Sequence, residues 1–185
     1  MSAARKARRF FTLLLTVFIL FATGAWLWSM PAVRALPETF RLSRMPVPLQ
    51  LPVPVAGVQA PRIADTWGAA RSSGRTHEGV DIFAARGTPV LSATRGVVMR
   101  IGESGIGGKQ VWVTGPGGER HYYAHLDGWA SGLHVWQLMQ PGDPLGFVGS
   151  TGNARGTPPH LHYGIYAAKG ALNPHPRLRR VPAAP

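Results

Sequence analysis

Hydrophobic and polar residues are distributed in three different ways along the chain, and each pattern predicts a different kind of segment. Residues 10–30 form a run without a formal charge. Residues 31–61 mix leucine and valine with seven of the 17 prolines. From residue 63 to residue 175, short stretches rich in Val, Ile, Tyr and Trp are separated by glycine-containing turns. The pattern therefore predicts an apolar helix, a linker and one small β domain.

The β prediction rests on six segments that are enriched in β-branched and aromatic residues and bounded by turn residues. No segment between residues 63 and 175 shows a sustained apolar period of 3.6, so we expect no long helix there. We predict an all-β fold with a small, mostly antiparallel sheet at 63–175. About 113 residues suffice to bury roughly two-thirds of the unfolded surface. The predicted strands are 89–93, 96–101, 110–114, 120–126, 143–148 and 160–166.

The uncharged run at residues 10–30 is long enough to cross a bilayer. Its 21 residues, at about 1.5 Å of helical rise each, span roughly the 30 Å hydrocarbon core. Basic residues precede it, and the positive-inside rule then keeps residues 1–9 in the cytoplasm and exports the rest. We expect one transmembrane helix, and a cleaved signal peptide is the alternative. The basic residues are Arg5, Lys6, Arg8 and Arg9.

The segments on either side of the predicted domain differ from it in composition. The proline-rich residues 31–62 predict an extended linker, which is either a spacer or an arm that lies against the domain. Residues 176–185 contain three arginines and predict a loose basic tail.

The distribution of charge and the absence of cysteine exclude several classes of function. The formal net charge is +12, but residues 63–175 carry nine Lys and Arg against seven Asp and Glu. The excess of positive charge therefore belongs to the two ends of the chain, and we predict no nucleic-acid partner. The chain has no cysteine, which excludes disulfides, a thiolate nucleophile and cysteine-ligated metals. Any metal must bind His, Asp or Glu side chains.

His77 and Asp81 are the first candidate ligand pair. Residues 77–81 (HEGVD) superficially match the H-E-x-x-H zinc helix, but Gly79 and its β-branched neighbours disfavour a helix. Alternate residues of an extended segment share a face, so His77 and Asp81 project together and Glu78 points away. We therefore predict that Glu78 takes no part in the site.

Two more histidine pairs lie in predicted strands. His160 and His162 are two residues apart and share one face of a strand. His121 and His125 are four residues apart and share a face as well, and the spacing does not say which of them reaches the same site. For each pair, solvent-facing histidines without a ligand are the alternative.

These residue types fit catalytic zinc chemistry. Such sites commonly hold the ion with three nitrogen and oxygen ligands and leave a fourth position for water. The ion lowers the pKa of that water to about 7, and further histidines can take its proton and stabilise an oxyanion. A phosphate loop at 102–109 and a serine nucleophile at Ser150 are excluded, because required motif residues are missing.

Five sequence blocks follow one another along the chain: 75–82 (RTHEGVDI), 85–90 (ARGTPV) with 96–98 (GVV), 123–126 (YAHL), 146–152 (GFVGSTG) and 159–163 (PHLHY). Together they resemble the lysostaphin-like, or LytM-domain, zinc endopeptidases that cleave peptide bonds in bacterial peptidoglycan. The resemblance covers residues 63–175 and implies the small LytM-type β fold. It implies that His77, Asp81 and His162 bind zinc and that His125 and His160 form the catalytic pair, so it favours His125 over His121.

The chain departs from the family pattern at two places. The family often has an acidic residue two places after the second histidine of the H-x-H motif, where this chain has Gly164. The stretch 153–159 is longer than the turn usual there. Because Gly164 lies on the metal-facing side of the predicted strand, we expect it to leave room in the groove and alter substrate choice.

We predict an exported zinc metalloendopeptidase that hydrolyses peptide bonds in peptidoglycan stem peptides or cross-links. One Zn²⁺ is the expected cofactor. Peptidoglycan and the bacterial inner membrane are the expected partners, with a regulatory envelope protein as a further candidate. The domain is expected in the periplasm, and secretion after signal-peptide cleavage is the alternative.

Within this prediction, His160 acts as general base and His125 stabilises the oxyanion, and the two roles are exchangeable. The alternative function is a catalytically silent domain of the same fold that binds and activates another cell-wall hydrolase. Such a domain typically lacks some zinc ligands, whereas all five site positions are filled here.

Overall fold

The computed structural model describes residues 3–71 and 74–179. The chain forms two compact units, Met1–Pro37 and Glu38–Pro185. The second unit begins well before residue 63 and so includes much of the segment predicted as a linker. The last six residues of the predicted basic tail, 180–185, lie outside the described residues.

Helix α1 (Ala3–Ser29) is the predicted apolar helix. Its stretch Ala7–Ser29 is long and apolar enough to cross a membrane, and none of that stretch is buried. A signal sequence has the same properties, so both interpretations of this segment stand. Three threonine hydroxyls donate to carbonyls four residues earlier and so need no water as partner: Thr12 to Arg8, Thr16 to Thr12 and Thr23 to Ile19.

Helix α2 (Pro31–Arg44) corrects the sequence prediction. We expected extended chain over 31–62, and the first half of that segment is helical instead. Pro31 occupies the start of the helix, where a missing N–H removes no helical hydrogen bond. Pro37 lies inside the helix and removes one such bond. Burial of apolar side chains offsets this cost, since Leu42 is fully buried within the second unit.

Nine antiparallel strands lie in the described residues and form one sheet. They are β1 (Val80–Phe83), β2 (Pro89–Leu91), β3 (Gly96–Ser104), β4 (Gly108–Thr114), β5 (Arg120–Trp129), β6 (Leu138–Met139), β7 (Pro144–Val148), β8 (His160–Ala167) and β9 (Gly170–Leu172). Their main order is β1-β8-β5-β4-β3-β6, while β7 pairs with both β2 and β5 and so curls the sheet. All six predicted strands are present. The prediction missed β1, β6 and β9, which have only two to four residues.

The hydrophobic core lies on one face of the sheet. Along β8 the alternation predicted from the sequence is observed, because Leu161, Tyr163 and Ile165 are fully buried in the core. His160 and His162 therefore project from the opposite face. This division into a core face and a histidine face positions the candidate site.

A β-bulge interrupts the alternation in β5. Val111 of β4 pairs with Tyr123, whereas Lys109 pairs with Leu126. β5 therefore has one more residue than β4 in this interval. His125 lies in the bulge and has a φ of 63°, in the left-handed region that a histidine seldom adopts. Bulges redirect side chains, and this one reverses the face to which His125 belongs.

Residues 45–58 continue from α2 as an extended arm that lies against the sheet. Leu51 and Val55 are buried in the core. Val55 forms a β-bridge with Val90 of β2, and the Leu91 N–H donates to the Pro54 carbonyl at 3.0 Å. The sequence left open a free spacer or an arm that lies against the domain, and residues 45–58 form such an arm.

Helix α3 (His175–Arg179) corrects the prediction of a loose tail for residues 176–179. Leu178 is 2% exposed and belongs to the core. The Arg177 guanidinium pairs with Glu119 at 2.8 Å and also donates to the Pro48 carbonyl at 2.7 Å. One buried apolar side chain and one partly buried ion pair therefore hold this segment on the sheet.

Candidate metal centre

The register of β1 against β8 brings the first candidate ligands together. Asp81 lies directly opposite His162, and Phe83 lies opposite His160. His77 comes just before β1 and reaches the same place. The His77 Nε2 atom is 3.0 Å from Asp81 Oδ1 and 2.8 Å from His162 Nδ1, and the third side of the triangle measures 3.1 Å. The three predicted ligands thus present one donor atom each to a single point.

Backbone carbonyls hold three of the imidazole rings near this point. The Nδ1 atom lies 2.6 Å from the Thr66 carbonyl in His77 and 2.9 Å from the Pro158 carbonyl in His160. In His125 it lies 2.9 Å from the Thr151 carbonyl. A carbonyl oxygen only accepts, so Nδ1 carries the proton in each ring and Nε2 is left with a free lone pair.

The Asp81 carboxylate is oriented from both sides. Its Oδ1 atom contacts the two imidazoles, while Oδ2 accepts a hydrogen bond from Arg71 at 2.5 Å. Burial alone would raise the pKa of Asp81, but its interactions with the His162 and His77 imidazoles outweigh burial and hold this pKa well below the ordinary range. Asp81 therefore stays ionised at any physiological pH.

His125 and His160 flank the triangle. Their ring centres are 5.1 Å apart, and His125 lies 5.9 Å from His162. Burial, with smaller contributions from His162 and His160, lowers the pKa of His125 to about 4. His125 is therefore neutral at pH 7. The structure brings all five predicted site residues into one cluster.

His121 lies on the other face of the sheet, so His121 and His125 do not share a face. Its Nδ1 atom is 2.7 Å from the Tyr163 hydroxyl, and the residue is 1% exposed. Burial, and then the nearby Arg177 charge, lower its pKa to about 3. The expectation of a common face is wrong because it assumed a regular strand, and the bulge reverses the alternation at His125.

The five residues lie in a groove of about 650 Å³. Glu78, predicted to point away, is exposed and also lines the groove. The Tyr122 ring is centred 5.8 Å from that of His162. Burial raises the pKa of the Tyr122 hydroxyl to about 12, so this hydroxyl remains a hydrogen-bond donor. Phe83 and Ile106 are exposed and add apolar surface to the groove.

Gly164 faces the groove as predicted, opposite Tyr122, but the space above it is not open. A Cβ atom at Gly164 would lie 3.0 Å from the Tyr166 ring and 3.0 Å from the Glu78 carbonyl. The Tyr166 side chain folds over the glycine. The absence of a side chain at Gly164 therefore makes room for Tyr166 and not for an empty subsite.

Sequence reasoning missed four residues that support the cluster. Thr66 and Arg71 precede β1 in irregular chain, where no periodicity marks them, and contact His77 and Asp81. Tyr122 belongs to a strand whose faces could be assigned only once the bulge was known. Thr151 lies in the GSTG block, which is the one available signal, but that block does not show which atom serves the site.

Comparison with known proteins agrees with this geometry. Residues 75–174 match peptidase family M23. The L-Ala–D-Glu endopeptidase of Bacillus subtilis (strain 168) is 43% identical over 125 residues, which cover 62% of this chain and 38% of that protein. The DD-carboxypeptidase/endopeptidase Mpg of Neisseria meningitidis is 36% identical over 112 residues, covering 60% of this chain and 23% of that protein. This chain thus spans well under half the length of either relative.

The solved catalytic domain of lysostaphin from Staphylococcus simulans superposes with a TM-score of 0.57 at 30% identity, covering 64% of this chain and 92% of that domain. This similarity confirms the predicted all-β, LytM-type fold. The family match confirms the resemblance drawn from the five sequence blocks. The β fold, a cluster of side chains that could hold a metal ion and the match over residues 75–174 all agree. The chain therefore belongs to peptidase family M23.

Proposed function

We propose that this protein is a zinc-dependent endopeptidase that cleaves peptide bonds in peptidoglycan. One observation carries the proposal. His77, Asp81 and His162 converge on one point, and His125 and His160 present free nitrogen atoms beside it. A groove open to solvent gives a peptide access to all five side chains.

The donor triangle fits a zinc ion. Tetrahedral coordination at about 2.0–2.1 Å separates the ligand atoms by roughly 3.3 Å, and the three donor atoms here are 2.8–3.1 Å apart. Two imidazoles and one carboxylate are an ordinary ligand set for catalytic zinc. His77 would bind through Nε2 and His162 through Nδ1. Arg71 and the Thr66 carbonyl hold Asp81 and His77 in place for this purpose.

A bound zinc ion supplies a Lewis acid that polarises the scissile carbonyl and activates water. The proton of that water needs an acceptor, and we assign His160. Its Nε2 atom lies 4.0 Å from Asp81 Oδ1, whose negative charge stabilises the imidazolium that forms.

His125 is neutral and offers Nε2 as an acceptor, so it can stabilise an oxyanion only after it has taken a proton itself. Either ring can therefore accept the proton first and then donate it to the oxyanion or the leaving amine, in agreement with roles that are exchangeable.

The relatives indicate which bonds to test first. The Bacillus protein is named an L-Ala–D-Glu endopeptidase and the Neisseria protein a DD-carboxypeptidase/endopeptidase. We propose a stem-peptide bond as substrate, with the L-Ala–D-Glu bond as the first candidate. α1 would place the domain on the outer side of the membrane, either as an anchor or as a signal sequence.

Mass analysis of a defined cross-linked muropeptide incubated with the zinc-loaded protein tests the proposal. We expect wild type to release fragments whose masses identify one bond, and His125→Ala to release them at least about 10²-fold more slowly at the same protein concentration. Stoichiometric zinc in the wild type without any fragment would contradict the proposal and favour the silent, partner-activating domain.

A further inference from the structure

His125 adopts a backbone conformation that its own sequence does not favour. Its φ of 63° lies in the left-handed region, which costs a histidine free energy relative to an extended conformation. Such a residue keeps its place only where the surrounding structure holds it there. The groups in contact with His125 therefore determine its orientation.

Thr151 contacts His125 and both strands beside it. Its carbonyl accepts a hydrogen bond from His125 Nδ1 at 2.9 Å. Its hydroxyl donates to the Leu126 carbonyl and accepts from the Lys109 N–H, both at 2.9 Å. These two backbone groups flank the bulge on β5 and β4. One side chain thus ties the bulge to the loop that orients the imidazole.

Two glycines bring that loop close enough for these contacts. Gly108 and Gly152 both have positive φ, 60° and 67°. A Cβ atom on either glycine would lie 2.4 Å from the backbone nitrogen of the other. The start of β4 and the chain after Thr151 therefore pack backbone against backbone, and no side chain can enter between them. This packing leaves the Thr151 peptide little freedom to move.

We propose that Thr151 is a positioning residue that holds His125 in the Nδ1–H tautomer, with Nε2 directed toward the reacting groups. The inference rests on the proposed function, since it assigns His125 a part in proton transfer. Thr151 itself does not touch the reacting atoms. Its carbonyl selects the tautomer, and its hydroxyl fixes the carbonyl by binding two strands at once.

Thr151→Val tests this role because valine keeps the branched shape and removes both hydroxyl hydrogen bonds. Long-range ¹H–¹⁵N spectra of the full chain in detergent, loaded with zinc, report the tautomer of His125 directly. We expect one Nδ1–H form in wild type and a mixture of both tautomers in the valine variant. With a muropeptide substrate, kcat should fall about 10-fold while KM changes less than twofold.

Two further variants separate positioning from general stability. Thr151→Ser keeps the hydroxyl and should restore both the single tautomer and kcat. Thr94→Val removes a buried threonine hydroxyl that bonds the Arg95 carbonyl away from the groove. It should lower the melting temperature without changing the His125 spectrum.

The spectrum and the cleavage assay can fail separately. An unchanged His125 tautomer in Thr151→Val, in a protein that retains zinc, would overturn the positioning role whether or not wild type cleaves muropeptides. A mixed tautomer in Thr151→Val that serine reverses supports the positioning role, even where wild type shows no cleavage and the proposed function is lost.

Discussion

His125 and His121 lie four residues apart on one strand and have opposite surroundings. His125 faces the groove, where its Nε2 atom is free and other imidazoles lie within 6 Å. His121 lies on the core face of the sheet, where it is 1% exposed and forms a hydrogen bond with the Tyr163 hydroxyl. Burial lowers the pKa of both, to about 4 and about 3. A shifted pKa therefore does not distinguish a candidate catalytic histidine from a structural one, whereas the direction of the free nitrogen does.

The largest expected effect is the loss of zinc and activity when a proposed metal ligand on the groove face is replaced, compared with replacement of His121 on the core face. We expect His162→Ala and Asp81→Asn to lose bound zinc and at least about 10³-fold of activity, because two protein ligands seldom retain the ion. Zinc content by mass spectrometry and muropeptide cleavage measure the effect. His121→Gln is the matched control and should retain one zinc per chain. An Asp81→Asn protein with full zinc and full activity would show that the ligand assignment is wrong.

Removal of the proposed proton-handling rings should have the next largest effect. His125→Ala and His160→Ala are expected to keep zinc and lose about 10²- to 10⁴-fold in kcat, the usual contribution of general acid–base catalysis. Steady-state cleavage together with zinc content checks both parts. If kcat were the same in wild type and in one of these variants, the histidine replaced in that variant would take no part in proton transfer.

The lowered pKa of the buried His121 also predicts how acid affects the free energy of unfolding. His121 has a folded pKa of about 3 against an ordinary value of 6.5, so below pH 6.5 the unfolded chain binds a proton that the folded chain does not. The stabilisation is complete above pH 6.5 and is lost as the pH falls toward 3. At pH 5 the loss is about 2 kcal/mol.

Thermal unfolding between pH 4 and pH 8 measures this effect. His121→Gln keeps a polar partner for Tyr163 and does not titrate, so its stability should fall less steeply below pH 6.5. Parallel stability curves for wild type and His121→Gln would exclude His121 as the source of acid sensitivity.

The smallest predicted effect concerns Gly164. Gly164→Ala places a methyl group 3.0 Å from the Tyr166 ring, which must shift by a few tenths of an ångström at a cost of about 1 kcal/mol. We expect the relative cleavage rates of two muropeptides to change. Gly102→Ala, whose Cβ would contact nothing within 4 Å, is the control. Identical rate ratios in both variants would show that Tyr166 does not influence substrate choice.

The sequence predicts regular strands well. Along β8, the alternation of side chains is enough to place His160 and His162 on the face opposite to Tyr163, which lies in the core. It also predicts that His77 and Asp81 project together. The bulge at His125 is not predictable in this way, since it depends on the pairing of β5 with β4. The resemblance favours His125 over His121, and the bulge explains why His125 faces the groove while His121 faces the core.

Helix α2 and α3 show a second limit of sequence reasoning. Proline content predicts extended chain over 31–62, but burial of Leu42 favours a helix despite Pro37. The arginines near the C-terminus predict a loose tail, but Arg177 pairs with the distant Glu119. Arg71 reaches Asp81 in the same way. These ion pairs join residues 58 and ten positions apart in the sequence, and local composition carries no signal for either of them.

The proline-rich arm has a consequence for self-association of the protein. An uncovered edge strand can template the backbone of another molecule, which leads to aggregation. At β2 the arm takes that position, because Val55 bridges Val90 and Leu91 donates to Pro54. Pro52 and Pro54 have no N–H to offer a further strand. Residues 54–56 therefore occupy the edge of β2 that would otherwise be open to a strand from another molecule.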